Sequence, residues 1–198
     1  MIRAAIFDFG GVIAEEGFRE GLKAIARENG LDPDEFFRIA DSLIYETGYV
    51  KGLTDEKSFW IALRERTGIK GDDSELREEL LRRFVLRNEV LDYIDSLRRK
   101  GLITAILSDQ TNWLDEVNER SPFYQHFDYV FNSYRMGKGK READTFSYVC
   151  SILKVKPYES IFVDDNIINI KNAEREGLKS IHFTEFASVK NRINELLT

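Results

Sequence analysis

The sequence predicts an α/β fold: a Rossmann-like parallel sheet core with helices on both faces, and an inserted all-helical segment. From Glu89 onward, helical patterns alternate with short apolar runs, an order typical of a parallel sheet with helical crossovers. A first strand-like run begins at Ala4, and the following residues show helical patterns only. We therefore predict an α/β core of residues 1–13 and 89–198 and a helical insertion of residues 14–88, called the insertion below.

Four helices are predicted in the insertion. The first ends at Asn29 and Gly30, a pair typical of a helix C-terminus. The second begins at Asp32 and Pro33, because proline is favoured in a first helical turn. The third is predicted to have Thr54 as its N-cap. The fourth carries an apolar stripe of Leu76, Leu80, Leu81 and Phe84.

The second half of the chain supplies the remaining strands and helices of the predicted sheet. Strands are expected where β-branched and aromatic residues form short buried runs, at residues 102–107, 129–131, 160–163 and 179–183. Helices are expected where apolar residues recur with helical spacing, at about residues 90–97, 112–120, 143–153, 167–176 and 186–196.

Composition limits the partners and the compartment that we expect. The 198 residues carry a formal charge of −6, and no basic tract indicates nucleic acid. No apolar run approaches the roughly 20 residues of a membrane span, and the N-terminus lacks a signal-peptide pattern. Cys150 is the single cysteine, so neither an internal disulfide nor a thiolate metal site is possible. We expect a cytoplasmic protein with no membrane partner.

Acidic and hydroxyl side chains follow the predicted strands where each one ends. Asp8 follows the first strand, Ser108 the second, and Asp164 and Asp165 a later one. Ligands of open α/β sheets bind beyond these carboxyl ends, and a glycine-rich loop at residues 136–140 adds lysines there. Clustered carboxylates need a cation, and oxygen ligands suit Mg²⁺. This set predicts phosphoryl transfer with Asp8 as the nucleophile.

The same residues form four ordered motifs that resemble the haloacid dehalogenase-like hydrolase superfamily over the whole chain. The motifs are FDFGGVI at residues 7–13, ILSD at residues 106–109, GKGKREADTF at residues 137–146, and FVDDN at residues 162–166. The insertion stands where the capped phosphatase-like subfamily has a small helical cap after the first strand. The resemblance implies a hydrolase with a Rossmann-like core and this cap.

The resemblance also implies a Mg²⁺ site and a covalent intermediate. Asp8 would be both the nucleophile, forming an aspartyl phosphate, and a metal ligand. The backbone carbonyl of Gly10 and the carboxylate of Asp165 would be further ligands. Asp164 would either coordinate the metal directly or contact one of the groups that coordinate it.

Phosphate binding is expected from the other two motifs. By the resemblance, Ser108 and Lys140 would hold the phosphoryl group, with Lys140 as the catalytic lysine. Asp109 stands beside Ser108 and is included in the predicted phosphate site, although a carboxylate there requires a raised pKa or an outward rotamer.

Three positions depart from the family pattern: Asp109, which is the extra acid beside Ser108, and Gly10 and Arg141. Gly10 replaces a second aspartate that serves as general acid and base in the family's commonest phosphatases, help that is worth about 10² to 10⁴-fold in rate. Its absence favours substrates with a good leaving group, such as sugar 1-phosphates, acyl phosphates or aryl phosphates. Arg141 follows the lysine where proline is usual, and its role is open at this point.

We predict a Mg²⁺-dependent phosphatase of a small phosphorylated metabolite, such as a sugar phosphate, acting as a monomer or homodimer. One alternative is a catalytically weak or inactive member that binds a phosphorylated ligand or a protein, supported by Gly10, Asp109 and Arg141. Another is a metal-independent 2-haloacid dehalogenase, which the acidic pair Asp164 and Asp165 disfavours.

Other polar and aromatic side chains near these motifs have simpler expected roles. Asn166 is predicted to cap the helix after the fourth motif. Three aromatic side chains of the insertion are expected to pack rather than to touch substrate: Tyr45, Tyr49 and Trp60.

Overall fold

The computed structural model describes all 198 residues and contains one five-stranded sheet. Every strand pairing is parallel, and the strand order is β3-β2-β1-β4-β5. The strands are β1 (Ala4–Phe7), β2 (Ile103–Ser108), β3 (Tyr129–Asn132), β4 (Ser160–Asp164) and β5 (Lys179–His182). The predicted α/β class and all five predicted strands are confirmed, and β1 occupies the centre of the sheet.

Ten α-helices surround the sheet or lie in the insertion. Those of the insertion are α1 (Gly17–Glu28), α2 (Pro33–Glu46), α3 (Glu56–Thr67) and α4 (Asp73–Leu81). Those after it are α5 (Asn88–Arg99), α6 (Trp113–Arg120), α7 (Ser133–Met136), α8 (Thr145–Leu153), α9 (Ile167–Arg175) and α10 (Phe186–Leu197). Short 3₁₀ turns add Tyr49–Lys51, Tyr124–His126 and Pro157–Glu159. No helix is both long enough and apolar enough to cross a membrane.

Both faces of the sheet are covered, which explains why β1 is apolar at every position. Ala5 and Phe7 point into a cluster of 42 buried residues, to which α5 and α10 also contribute. Ala4 and Ile6 point the other way, into a cluster of 14 buried residues that includes side chains of α8 and α9. Successive side chains of a strand alternate between faces, so an uninterrupted apolar strand indicates a sheet buried on both sides.

The insertion leaves the core after β1 and returns to it at α5, and its two connections pair with each other. The backbone N–H of Glu15 donates to the carbonyl of Val85 at 2.9 Å, and that of Arg87 donates to the carbonyl of Ile13 at 2.8 Å. The Arg87 side chain pairs with Glu15 at 3.0 Å and donates to the carbonyl of Gly11. These pairings lie at the predicted boundaries, although the division into two domains stays a prediction.

Aromatic side chains join the insertion to the core. Trp113 begins α6 in the core, and its ring packs edge-on against Tyr49 at 5.4 Å and against Phe59 at 6.2 Å. Trp60 lies 5.9 Å from the same ring. All four side chains are fully buried in the larger cluster, so the insertion and the core share one hydrophobic interior.

Two local predictions for the insertion are wrong. Asp55, not Thr54, caps α3: its carboxylate accepts the backbone N–H of Ser58 at 2.9 Å, and aspartate is at least as good an N-cap as threonine. The Thr54 hydroxyl instead donates to the carbonyl of Thr47. Phe84 lies beyond the end of α4, where its ring packs 5.4 Å from that of Phe9.

The shared interior predicts one cooperative unfolding transition. Phe59→Ala is expected to lower the free energy of unfolding by about 3–5 kcal/mol, because a fully buried aromatic side chain is removed. The exposed Ile61 of the same helix provides the control, and Ile61→Ala is expected to change it by less than about 0.5 kcal/mol. Urea denaturation followed by circular dichroism measures both. Two separate transitions would contradict the shared interior.

Candidate active site

The sheet places three of the predicted site residues next to one another. Asp8 comes directly after β1, Ser108 is the last residue of β2, and Asp164 is the last residue of β4. Because β1 pairs with both β2 and β4, the carboxyl ends of these three strands are adjacent. Asp8 is 8% exposed, Ser108 1% and Asp164 0%, so the site lies mostly below the surface.

Lys140 projects its ammonium between two of these carboxylates. Its Nζ lies 2.8 Å from Oδ2 of Asp8 and 2.7 Å from Oδ2 of Asp164. Burial disfavours the charged lysine, but the charges of Asp164 and Asp8 outweigh that effect and raise its pKa above the usual range. Lys140 is therefore held as a buried cation.

The backbone of Lys140 is fixed from two sides. Its N–H donates to the Asp109 carboxylate at 2.9 Å, and its carbonyl accepts from the side-chain amide of Asn172 at 3.3 Å. The preceding Gly139 carbonyl accepts the Thr145 hydroxyl at 2.7 Å, at the start of α8. The loop is not part of a helix or strand, so these contacts fix its backbone. They thereby place the Lys140 ammonium between the two carboxylates.

Three carboxylates form the group that could hold a metal ion. One oxygen each from Asp8, Asp164 and Asp165 lie within 4.8 Å of one another. The pKa of Asp8 is raised well above its ordinary value, mainly by burial, although the charge of Lys140 acts to lower it. Burial and the charge of Asp164 likewise raise the pKa of Asp165. The cluster therefore has more negative charge than the single lysine balances.

The two acids at the end of β4 are held differently. Asp164 accepts the backbone N–H of Asn166 at 2.7 Å and the side-chain amide of Asn169 at 3.0 Å, in addition to the lysine. The side chain of Asp165 makes no hydrogen bond to another residue; only its carbonyl is engaged, by the His182 ring at 2.8 Å. Asn166 also caps α9, as predicted. The free oxygens of this group thus belong mainly to Asp165.

The two glycines after Asp8 differ in what they require. Gly11 has φ +77°, which side chains rarely adopt, and a Cβ there would collide with the Asp165 carboxylate, so a substitution would strain the backbone and displace that acid. A Cβ on Gly10 would instead meet ordinary contacts, 3.6 Å from Oε1 of Glu16 and 3.7 Å from the Phe84 ring. The position of Gly10 could accommodate a Cβ, and the predicted role of its carbonyl as a metal ligand stays a prediction.

A cavity of about 130 Å³ opens above this edge of the sheet. Most side chains around it are polar or charged. The core contributes residues of all four motifs, among them Asp8, Ser108, Asp109, Lys140 and Asp165. The insertion contributes residues of its first two helices and the turn before them: Glu16, Phe18, Arg19, Phe37, Asp41 and Tyr45. Such a site suits a small polar ligand.

Contacts between the insertion and two phosphate-motif loops close one side of the cavity. The Tyr45 hydroxyl donates to Oδ2 of Asp109 at 2.9 Å. The Arg141 guanidinium stacks 3.7 Å from the centre of the Tyr45 ring and pairs with Asp41 at 3.0 Å. The Asp109 carboxylate is therefore engaged by the Tyr45 hydroxyl and by the Lys140 backbone N–H, and its part in phosphate binding stays a prediction.

Sequence reasoning did not identify several residues of this wall. Tyr45 was expected only to pack, yet it lines the cavity and hydrogen-bonds to the core. Asp41 and Glu16 gave no signal, because an acid on an amphipathic helix ordinarily faces solvent. Glu16 is partly buried, and its Oε1 accepts the backbone N–H of Arg19 at 3.4 Å, at the start of α1. Burial raises the pKa of the Glu16 carboxyl, and Arg19 opposes the shift.

The fold and the site together define a hydrolase of the α/β class with an acidic group at the sheet edge. A family model for haloacid dehalogenase-like hydrolases matches residues 2–177. The chain belongs to this family, as its four motifs predict.

Curated relatives of known activity are similar at low identity. The chain is 26% identical over 217 residues to bifunctional epoxide hydrolase 2 of Rattus norvegicus, covering 98% of this chain and 39% of that protein. It therefore spans about two fifths of the length of that relative. It is 25% identical over 209 residues to D-ribitol-5-phosphate phosphatase of Bacteroides thetaiotaomicron, covering 100% of this chain and 99% of that protein.

Solved structures have the same fold. A haloacid dehalogenase-family enzyme of Bacteroides thetaiotaomicron, crystallised with magnesium and inorganic phosphate, superposes with a TM-score of 0.75 at 23% identity. The match covers 96% of this chain and 99% of that one. At this identity the similarity shows the fold.

The buried ion cluster predicts that Lys140 is essential for stability in the absence of metal. Lys140→Met is expected to lower the free energy of unfolding by about 3–5 kcal/mol, because two buried carboxylates lose their cation. Chemical denaturation in EDTA measures the change. Lys138→Met is the control, since Lys138 pairs with the exposed Asp144 and is expected to contribute about 0–1 kcal/mol. Equal stability of the two variants would contradict the assigned role.

Proposed function

We propose that this protein is a Mg²⁺-dependent phosphatase that hydrolyses a small phosphorylated metabolite through an aspartyl phosphate on Asp8. The observation that carries the proposal is the arrangement of Asp8, Lys140 and the acidic pair in one buried cluster at the carboxyl edge of the sheet. The similarity to a phosphatase over the whole chain supports the reaction class.

The donor set fits Mg²⁺. All three side chains are carboxylates, and hard oxygen ligands suit this ion. Burial and the nearby charge of Asp164 raise the pKa values of Asp8 and Asp165, and a divalent cation would favour their ionised forms. Asp8, Asp165 and the Gly10 carbonyl would hold the ion, and Asp164 would orient Lys140 and stand beside them. When bound, the ion would neutralise charge on the phosphoryl oxygens.

The residues of this chain divide the reaction into two displacements. In the first, a carboxylate oxygen of Asp8 forms a bond to phosphorus while the bond between phosphorus and the leaving oxygen breaks. Lys140 and Ser108 bind the phosphoryl oxygens through the transfer. In the second, water attacks the same phosphorus, releases inorganic phosphate and regenerates the Asp8 carboxylate.

The cavity supports a small polar substrate. At about 130 Å³ it is well below the roughly 300–1,000 Å³ of sites for drug-sized ligands. On the insertion side, the cavity is lined by Arg19, which can donate hydrogen bonds, and by Asp41, which can accept them. A sugar phosphate or a polyol phosphate has matching hydroxyl groups.

A second candidate is a phospholigand-binding protein with weak or no turnover. Gly10 favours it, because no side chain at that position can serve as general acid. The acidic cluster favours the phosphatase, since three clustered carboxylates are not required to bind a phosphate anion and would repel it without a cation.

Replacement of the nucleophile separates these functions. Wild-type protein is expected to hydrolyse p-nitrophenyl phosphate with Mg²⁺ and to lose turnover in EDTA. Asp8→Asn is expected to reduce turnover by at least about 10³-fold, because the amide cannot attack phosphorus. Asp92→Asn is the control, since Asp92 is exposed on α5.

The other outcomes identify the alternatives. Wild-type protein that binds inorganic phosphate in calorimetry but shows no turnover with any divalent ion would be a binding protein. Chloride release from a 2-haloacid in EDTA, lost in Asp8→Asn, would identify a dehalogenase and contradict the phosphatase.

A further inference from the structure

We propose that Glu16 is the proton donor of this active site and replaces the acid that Gly10 cannot supply. The inference rests on the proposed phosphatase function and names a further catalytic residue for it. It follows from where the Glu16 carboxyl lies, from how it is held, and from the engagement of every other carboxyl around the cavity.

The Glu16 carboxyl occupies the space that an acidic side chain at Gly10 would enter. Its Oε1 lies 3.6 Å from the position that a Cβ on Gly10 would take, and Glu16 lines the same cavity as Asp8. An acid reaching into this space from the insertion can therefore contact a leaving oxygen on phosphorus bound at Asp8. The acid is thus supplied by the insertion and not by the first motif.

Close packing fixes the turn that carries Glu16. A Cβ on the next residue, Gly17, would lie 2.6 Å from the Phe84 ring, so α1 starts in direct contact with that ring. The same ring lies 3.7 Å from the Cβ position of Gly10. Phe84 therefore packs against the first residue of α1 and close to Gly10, which holds the turn of Glu16 beside the cavity.

The other carboxyls around the cavity already have partners or roles. Asp8 and Asp165 belong to the group proposed to bind the metal. Asp41 is paired with a guanidinium at 3.0 Å, and Asp109 accepts a tyrosine hydroxyl and a backbone N–H. Glu16 is in no ion pair. This leaves Glu16 as the carboxyl that is free to exchange a proton with the substrate.

A purely structural role accounts poorly for Glu16. Its one hydrogen bond is to the backbone N–H of Arg19 at 3.4 Å, which is long for this type of contact. Glutamate is also not among the residues preferred at a helix N-cap. The preceding Glu15, by contrast, points to a cation, pairing with Arg87 at 3.0 Å.

The proton moves once in each half of the reaction. When Asp8 attacks phosphorus, the bond to the leaving oxygen breaks and that oxygen takes the proton of the Glu16 carboxylic acid, giving the alcohol. In the second half, water attacks phosphorus and loses a proton to the Glu16 carboxylate as the bond to Asp8 breaks. The sum is phosphate monoester plus water giving alcohol plus inorganic phosphate, with both residues restored.

The test compares two substrates that differ in how much they need a proton donor. p-Nitrophenolate leaves without protonation, whereas the alkoxide of a polyol monophosphate does not. Glu16→Gln is expected to lower kcat on the polyol monophosphate by about 10² to 10⁴-fold and on p-nitrophenyl phosphate by less than about tenfold. The amide oxygen of glutamine can still accept the Arg19 N–H, so the start of α1 remains capped.

Two further variants complete the design. Glu20→Gln removes one negative charge from the exposed side of the same helix and is expected to leave both rates unchanged. Glu16→Asp keeps a carboxyl on a shorter side chain and is expected to retain more polyol turnover than Glu16→Gln. Preserved p-nitrophenyl phosphate turnover in each variant demonstrates an intact fold.

Each remaining outcome overturns the assignment. Equal loss on both substrates in Glu16→Gln and Glu16→Asp would assign Glu16 a structural role only. Wild-type protein that hydrolyses the aryl ester but no alkyl ester would show that no proton donor operates. Absence of all wild-type turnover would overturn the proposed function itself, and Glu16 as a donor with it, whereas a failure of Glu16 alone leaves the loss of activity in Asp8→Asn intact.

Discussion

The buried ammonium of Lys140 is the interaction on which the rest of the site depends. It joins the ends of β1 and β4 through Asp8 and Asp164, and little solvent reaches these contacts, since Lys140 is 2% exposed and Asp164 is fully buried. Burying charges costs several kcal/mol each even when they are paired, so a hydrophobic cluster of the same volume would stabilise the fold at least as well. Its presence in the middle of the sheet edge is therefore better explained by chemistry than by stability. The amide of Asn169 and the backbone contacts of the lysine loop exist to keep this arrangement in register.

The insertion acts on the same loops from above. Through Tyr45 it reaches Asp109, and through Asp41 it reaches Arg141, so both loops that are expected to hold phosphate also carry a contact to α2. Partly exposed ion pairs and hydrogen bonds contribute little free energy, about 0–1 kcal/mol for a surface pair. Their effect here is to fix the positions of the two loops relative to α2. The aromatic interior around Trp113 holds the insertion on the core, while these polar contacts fix where side chains of α2 lie relative to Asp109 and Arg141. The insertion and the two motif loops thus form one continuous wall of the cavity.

Much of the fold and half of the site follow from local patterns. Alternating helices and apolar runs predict a parallel sheet, and acids at strand ends predict where Asp8 and Asp164 meet, because both facts depend on a few consecutive residues. The central position of β1 in the sheet cannot be predicted from the alternation of helices and strands, because strand order depends on how each crossover connects the strands. The wall formed by Tyr45 and Arg141 could not be predicted either: it needs the approach of α2 to a loop about 100 residues away in sequence. Thr54 and Asp55 show that the exact start of a helix is also hard to predict. Both residues are acceptable N-caps, and packing selects one of them.

The paired connections at Glu15 and Arg87 have a consequence for the history of such proteins. The chain leaves and re-enters the core through two segments that are hydrogen-bonded to each other. The two ends of the insertion are therefore held together next to the sheet, whatever lies between them. The number of helices between them can then change in evolution without altering the spacing of the strands. Substrate preference could then change by exchange of this module, while the group of acids and lysine at the sheet edge is inherited unchanged. If Glu16 is carried by the module, part of the catalytic machinery is exchanged along with the specificity.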